Sequence, residues 1–194
     1  MQRVTTSFGL IDRVKAGDQD AFTALFERYR RRLAVLIHYK LSDELRGSME
    51  VDDLLQETFL RAFRDIGHFT YRAPGSFLRW LASIADHVAI DAARTHGRLR
   101  RAGEAVPFRS ASNPGGPEPL DSKTPSRVLA QQEAVDGLLA RLNTLSDEYR
   151  RVILMAKMEG LSTQEMAERL GRSREATALL LHRALKRFKG LAKN

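Results

Sequence analysis

Apolar side chains in the N-terminal half recur at i, i+3 and i+4 in three separate runs. Over residues 20–41 the run is Phe22, Leu25, Phe26, Tyr29, Leu33, Leu36 and Ile37, which predicts one long amphipathic helix with Asp18 as its N-cap. Leu54, Leu55, Phe59, Ala62, Phe63 and Ile66 predict a second helix over residues 51–66, stopped by Gly67. A third is expected over residues 75–98, with Phe77, Trp80, Leu81, Ile84, Val88 and Ala92 turned inward. Towards the C-terminus, a further helix is expected over residues 127–142. Another begins after Ser146, whose hydroxyl suits an N-cap with Asp147 and Glu148 in the first turn, and runs through Met158 to a stop at Gly160. Ser162, Thr163, Gln164 and Glu165 fit a capping box, with Met166, Ala167 and Leu170 as the inner face of the short helix it opens. Gly171 breaks that helix, and Ser173 caps a last one that reaches about Lys189. No alternating β-branched run interrupts these patterns. The predicted fold class is all-α.

The periodicity fails in one place. Residues 103–126 read GEAVPFRSASNPGGPEPLDSKTPS and hold five of the six prolines of the chain. Proline removes backbone donors and clashes with a continuing helix, so this stretch is expected to be a flexible, partly extended linker. A structureless segment of that length inside one compact domain is uncommon. Two small helical domains are therefore predicted, over residues 8–102 and 127–194, joined by the linker at 103–126.

Charge narrows the partners. Lys and Arg number 32 against 24 Asp and Glu, a formal net charge of +8 over 194 residues, which favours polyanionic partners. The 43% hydrophobic content is enough for a core, so wholesale disorder is excluded. The absence of cysteine removes disulfides, thiol catalysis and Cys-ligated zinc. No apolar run approaches a membrane span, and MQRVTTSFGL lacks the apolar stretch of a secretory signal. A cytoplasmic address without membrane association is the expectation. The histidines His38, His68, His87, His96 and His182 are scattered, and no phosphate loop or nucleophile elbow is present. No enzyme activity, metal or cofactor is expected.

Two constellations carry chemistry. The predicted pair of helices joined by a short turn at Gly171 is a helix-turn-helix arrangement, in which small Ala167 permits close approach. Its second helix presents Arg172, Arg174, His182, Arg183, Lys186, Arg187 and Lys189 on a broad side and at its end. The first turn of a recognition helix is where base edges are reached in the major groove. The alternative is a structural helical hairpin with a solvated basic face. In the helix over residues 51–66, Asp53, Gln56, Glu57 and Arg64 fall on one face at three- and four-residue spacing, an acidic and amide-bearing surface suited to a basic protein partner. A solvated helix face is the plain alternative there.

Three strings in order, VDDLLQETFLRAFR, FLRWLASIADHVAIDAAR and LSTQEMAERLGRSREATALLLHRALKRF, resemble the extracytoplasmic-function (ECF) sigma factors of bacterial RNA polymerase. The resemblance covers about residues 10–102 and 130–190 and skips the linker. It implies that the first string is the core-binding helix, with Asp53, Gln56 and Glu57 facing the clamp helices of the largest polymerase subunit. It implies that the second lies in the segment that opens and reads the minus-ten promoter element, through Trp80, His87, Asp91, Arg94 and Arg98. Trp80 shares its stripe with Phe77, Leu81 and Ile84, so core packing competes there with base stacking. The third string becomes the helix-turn-helix for the minus-thirty-five element, through Arg172, Ser173, Arg174, Glu175, His182, Arg183 and Lys186. The partners implied are polymerase core, promoter DNA and a separate anti-sigma protein, with the chain acting as a monomer.

Two departures from the family pattern stand out. Asp86 and His87 occupy positions where the family commonly has a basic residue and Asn. Ala176, Thr177, Ala178, Leu179 and Leu180 stand where it often has Thr-Val-Lys-Ser-Arg, so two expected cations are absent. Leu179 and Leu180 cannot both face inward with Leu181, which points to an apolar contact with thymine methyls or with another protein. A dimeric helix-turn-helix repressor or activator is the rival reading. It accounts for the C-terminal half but not for the acidic face followed by the aromatic segment.

Overall fold

The computed structural model describes residues 6–102 and 125–191, and all regular structure among them is helical. Two compact units partition the chain, Met1–Lys123 and Thr124–Asn194. Residues 103–124 of the predicted linker lie outside the described residues. The last two of that prediction, Pro125 and Ser126, instead open a helix, as proline in the first turn allows.

The first unit is built on α1 (Ser7–Lys15), α2 (Gln19–Lys40), the short α3 (Asp43–Arg46), α4 (Val51–Asp65) and α5 (Ser76–Ala102). Asp18 caps α2, its carboxylate accepting from the Ala21 amide at 2.9 Å. That hydrogen bond and the one from Arg13 hold the Asp18 carboxyl below its ordinary range. Sequence periodicity passed over α1, a helix of nine residues whose Leu10, Ile11 and Val14 are buried against α2. Thr6 caps it through the Gly9 amide.

α2 is more than amphipathic at its C-terminal end. Leu33, Ala34, Val35, Leu36 and Ile37 are all buried, because α1, α4 and α5 pack around α2 from several sides. Each such aliphatic side chain contributes about 1.5–3 kcal/mol through burial. Aromatic pairs fix the α2–α4 register: Phe26 and Phe59 ring centroids lie 4.2 Å apart, and Phe22 and Phe63 4.8 Å. Arg30 on α2 grips both carboxylate oxygens of Asp52 on α4, at 2.8 and 3.0 Å.

The second unit contains α6 (Pro125–Asn143), α7 (Asp147–Ile153), α8 (Thr163–Leu170) and α9 (Arg174–Gly190). Ser146 caps α7 as expected, accepting from the Tyr149 amide. The helix predicted to run on to Met158 does so with a widened last turn, a π-helix over Leu154–Met158. Arg150 secures the α6–α7 corner by donating to the carbonyls of Leu142, Asn143 and Leu145. α7 and α8 both pack on α9, and Leu142, Val152, Met166 and Ala184 fill the space between them.

Candidate polymerase and nucleic-acid interfaces

α4 presents only some of the face expected of it. Gln56 and Arg64 are exposed and Asp53 is half-buried. Glu57, expected alongside them, is buried with a side chain 6% exposed. α4 packs against both α2 and α5, and Glu57 lies within the packed unit. A carboxylate tolerates such burial only with a cationic partner. Arg61, one turn on, donates from Nε to Glu57 Oε1 at 2.8 Å. The same guanidinium donates from Nη1 to Asp91 Oδ2 on α5 at 2.9 Å. Burial opposes the Arg61 charge, but the hydrogen bonds to the two carboxylates prevail and raise its pKa further. For Asp91 the hydrogen bond from Arg61 is the main influence, and it holds the carboxyl below the ordinary value of 3.8.

α5 separates the minus-ten candidates into three groups. Trp80 is half-buried, its ring 5.0 Å from Phe69 and 5.5 Å from Phe77, so one side of the indole is committed to packing. Asp91 is exposed but committed to Arg61. His87, Arg94 and Arg98 are exposed. Positions 87, 91, 94 and 98 follow helical spacing, so these side chains lie along one line of α5. Asp91, Arg94, Thr95, Arg98 and Arg101 border one open groove on that helix. Asp86, which stands where the family commonly has a basic residue, pairs with Lys40 of α2. A cation is thus supplied beside position 86 by another helix.

The helix-turn-helix is formed by α8, Gly171 to Ser173 and α9. Both halves of the capping box are present: Glu165 N donates to Ser162 Oγ at 3.3 Å, and Ser162 N to Glu165 Oε2 at 2.7 Å. Gly171 takes φ +63°, where a side chain would be strained. Ser173 Oγ accepts from the Ala176 amide at 3.1 Å, so this hydroxyl is engaged as the N-cap of α9. Thr177, Leu180 and Ala184 are the buried positions of α9. Arg174, Glu175, His182, Arg183 and Lys186 are all exposed, together with Ala178 and Leu179. Arg172 pairs with Glu148 of α7 at 2.5 Å, with both side chains about half exposed. A pair that open to water is weak and leaves the guanidinium able to exchange partners.

An ECF sigma factor family model matches residues 1–189. The chain belongs to the ECF sigma factor family. The chain is 30% identical over 181 residues to the ECF RNA polymerase sigma factor BldN of Streptomyces coelicolor, covering 91% of this chain and 62% of that protein. Against the ECF RNA polymerase sigma factor SigE of Mycolicibacterium smegmatis it is 31% identical over 156 residues, 80% of this chain and 56% of that protein. It thus spans less than two thirds of the length of these two relatives. The ECF RNA polymerase sigma-E factor of Haemophilus influenzae is 29% identical over 169 residues, 87% of this chain and 85% of that protein. Among solved structures, CnrH in complex with the cytosolic domain of CnrY is similar at 23% identity and TM-score 0.42, over 95% of each chain.

Within this ECF sigma factor, sequence reasoning missed Arg61. The Glu57–Arg61 spacing is a recognised helical ion pair, acid N-terminal to base, and was legible. Asp91 lies thirty residues further on, and nothing local in the sequence joins the two. Lys40 was missed for the same reason, its partner Asp86 being on a different helix. No helix among the described residues is long and apolar enough to cross a membrane.

Proposed function

We propose that this ECF sigma factor directs promoter-specific transcription initiation, binding RNA polymerase core with its first unit and promoter DNA with both. Asp53 and Gln56 of α4 dock on the clamp helices of the largest subunit. Glu57 stays inside as the anchor of Arg61. His87, Arg94 and Arg98 of α5 hold the minus-ten strand, with the uncovered side of Trp80 as a stacking surface. Arg174 and Glu175 of α9 read the minus-thirty-five element, while His182, Arg183 and Lys186 contact phosphates. The chain acts as a monomer in the cytoplasm, and its work is binding alone: no bond is made or broken and no cofactor is used. Melting is driven by capture of unstacked bases, each worth about 1–3 kcal/mol. A separate anti-sigma protein restrains it.

One observation supports this reading above the rest. A helix face carrying half-buried Asp53 and exposed Gln56 and an exposed line of His87, Arg94 and Arg98 sit on two helices packed together, and the same chain also carries a capped helix-turn-helix. A repressor needs only the last of these. Gel-shift titration of a promoter fragment separates the two. Binding is expected to require polymerase core and to show one copy of the chain per complex. Tight binding of a palindromic site by a dimer, without core, would overturn the proposal.

A further inference from the structure

The exposed face of α9 has an apolar centre. Glu175, Ala178, Leu179, His182, Arg183 and Lys186 follow the i+3, i+4 pattern along one side of the helix, opposite the buried Thr177, Leu180 and Ala184. Leu179 is 49% exposed. Beside it on that face is the small Ala178. Glu175 lies one turn before it and Arg183 one turn after. A leucine half exposed on a polar face adds less to folding than a buried one, and the buried positions of the same helix are Thr177, Leu180 and Ala184.

The surroundings decide what covers it. Arg174, His182, Arg183, Lys186 and Arg187 are exposed around this face, which favours a polyanionic surface over an apolar protein groove. α9 is a 17-residue helix capped at its start by Ser173, long enough to lie in a major groove, about 12 Å wide. A leucine offers no hydrogen bond and so reads only apolar features. On the major-groove edges of the four bases, the apolar group is the C5-methyl of thymine.

We propose that Leu179 is a specificity-determining residue that packs on the C5-methyl of a thymine in the minus-thirty-five element. This rests on the reading of α9 as the promoter-binding helix and names the base that helix selects for at its centre. Arg183 and Lys186, one and two turns further along α9, hold phosphates beyond it. Ala178 leaves room for the backbone of α9 to approach the base pair.

Deoxyuridine replaces thymine with loss of the methyl group alone, which gives a direct test. A promoter is first selected by the full chain with polymerase core from a library randomised upstream. Each thymine of the selected element is then replaced singly by deoxyuridine, and holoenzyme affinity is measured by competition. Burial of one methyl corresponds to about a three- to ten-fold change. At one position, deoxyuridine is expected to weaken wild-type binding by that factor. Leu179→Ala is expected to lose the same factor on thymine-containing DNA and to show no further loss with deoxyuridine. Its thermal melting should match the wild type, since position 179 lies outside the core. The inference is overturned if every deoxyuridine substitution is neutral, or if the penalty persists undiminished in Leu179→Ala. It is also overturned if Leu179→Ala leaves DNA affinity intact and abolishes a protein contact instead. Failure of the wild-type chain to use any upstream element would strike the reading of α9 itself, and is recognised by binding that is indifferent to the whole element.

Discussion

Arg61 on α4 and Asp91 on α5 meet through one hydrogen-bonded ion pair, Nη1 to Oδ2 at 2.9 Å, and the same guanidinium holds the buried Glu57. The two helices assigned to polymerase and to the minus-ten strand are thereby tied at one residue. Arg61→Ala removes the guanidinium that the buried Glu57 shares with Asp91. Removing one partner of a buried pair costs about 3–5 kcal/mol, so a fall in stability of at least about 2 kcal/mol is expected by denaturant titration. Arg61→Lys is expected to recover only a fraction of it, because an ammonium cannot serve both carboxylates in the forked geometry. A loss below about 0.5 kcal/mol for Arg61→Ala, the range of ordinary surface changes, would mean the tie is idle.

Docking on polymerase is expected to fail without unfolding when the exposed side of α4 is reversed. Asp53→Lys combined with Gln56→Lys should leave the melting curve close to wild type and weaken association with core at least about tenfold, through like-charge repulsion against a basic partner. Glu57→Lys is expected to behave differently, destabilising the first unit because the new cation is buried against Arg61. Co-elution with core together with circular dichroism distinguishes the two. Unaltered co-elution of the Asp53/Gln56 double variant would remove the face from the interface.

Acid should loosen the first unit through carboxylates held below their ordinary range. Both Asp18 and Asp91 have lowered folded-state pKa values, from hydrogen bonds that favour the charged form. A group depressed in this way contributes stability above its unfolded value, near 3.8, and loses it as pH falls through its folded value. Stability is therefore expected to be flat above about pH 5 and to decline below about pH 4. Asp18→Asn and Asp91→Asn should each flatten that decline. Denaturant midpoints measured across the acid range check it, and a variant with the full wild-type decline would mean its carboxylate plays no role there.

Two sets of cations on α9 should fail differently. Arg174→Ala removes a group from the first turn and is expected to cost roughly 1–3 kcal/mol on the preferred promoter while relaxing preference at one or two positions. Arg183→Ala or Lys186→Ala should weaken all promoters alike and lower the salt slope by about one. Affinity across promoter variants and salt concentrations tells them apart. Identical profiles for Arg174→Ala and Arg183→Ala would undo the distinction between base and phosphate contacts.

Much of the fold was legible because burial follows period. The stripes from Phe22 to Ile37 and from Phe77 to Ala92 report the inward faces of α2 and α5, although Ile84 and Trp80 end up half-buried. Capping chemistry was equally local: Asp18, Ser146, Ser162 and Ser173 all cap where their hydrogen bonds to nearby amides place them. The site was harder to read, for reasons that are tertiary. Glu57 shares the spacing of Asp53 and Gln56, and only the tertiary packing around α4 makes it interior. Asp86 reads as an isolated acid until Lys40 arrives from α2. Leu179 shows the reverse: it cannot turn inward with Leu180, and the structure leaves it on the surface.

The central claim is that this chain converts polymerase core into a promoter-selective enzyme, and run-off transcription tests it most directly. Core polymerase is incubated with genomic fragments, with and without the full chain. The expected result is a discrete set of transcripts that needs the chain, starts at fixed distances from a shared pair of upstream elements, and disappears with the Asp53→Lys, Gln56→Lys double variant. Transcription unchanged by adding the chain, or only repressed by it, would contradict the account.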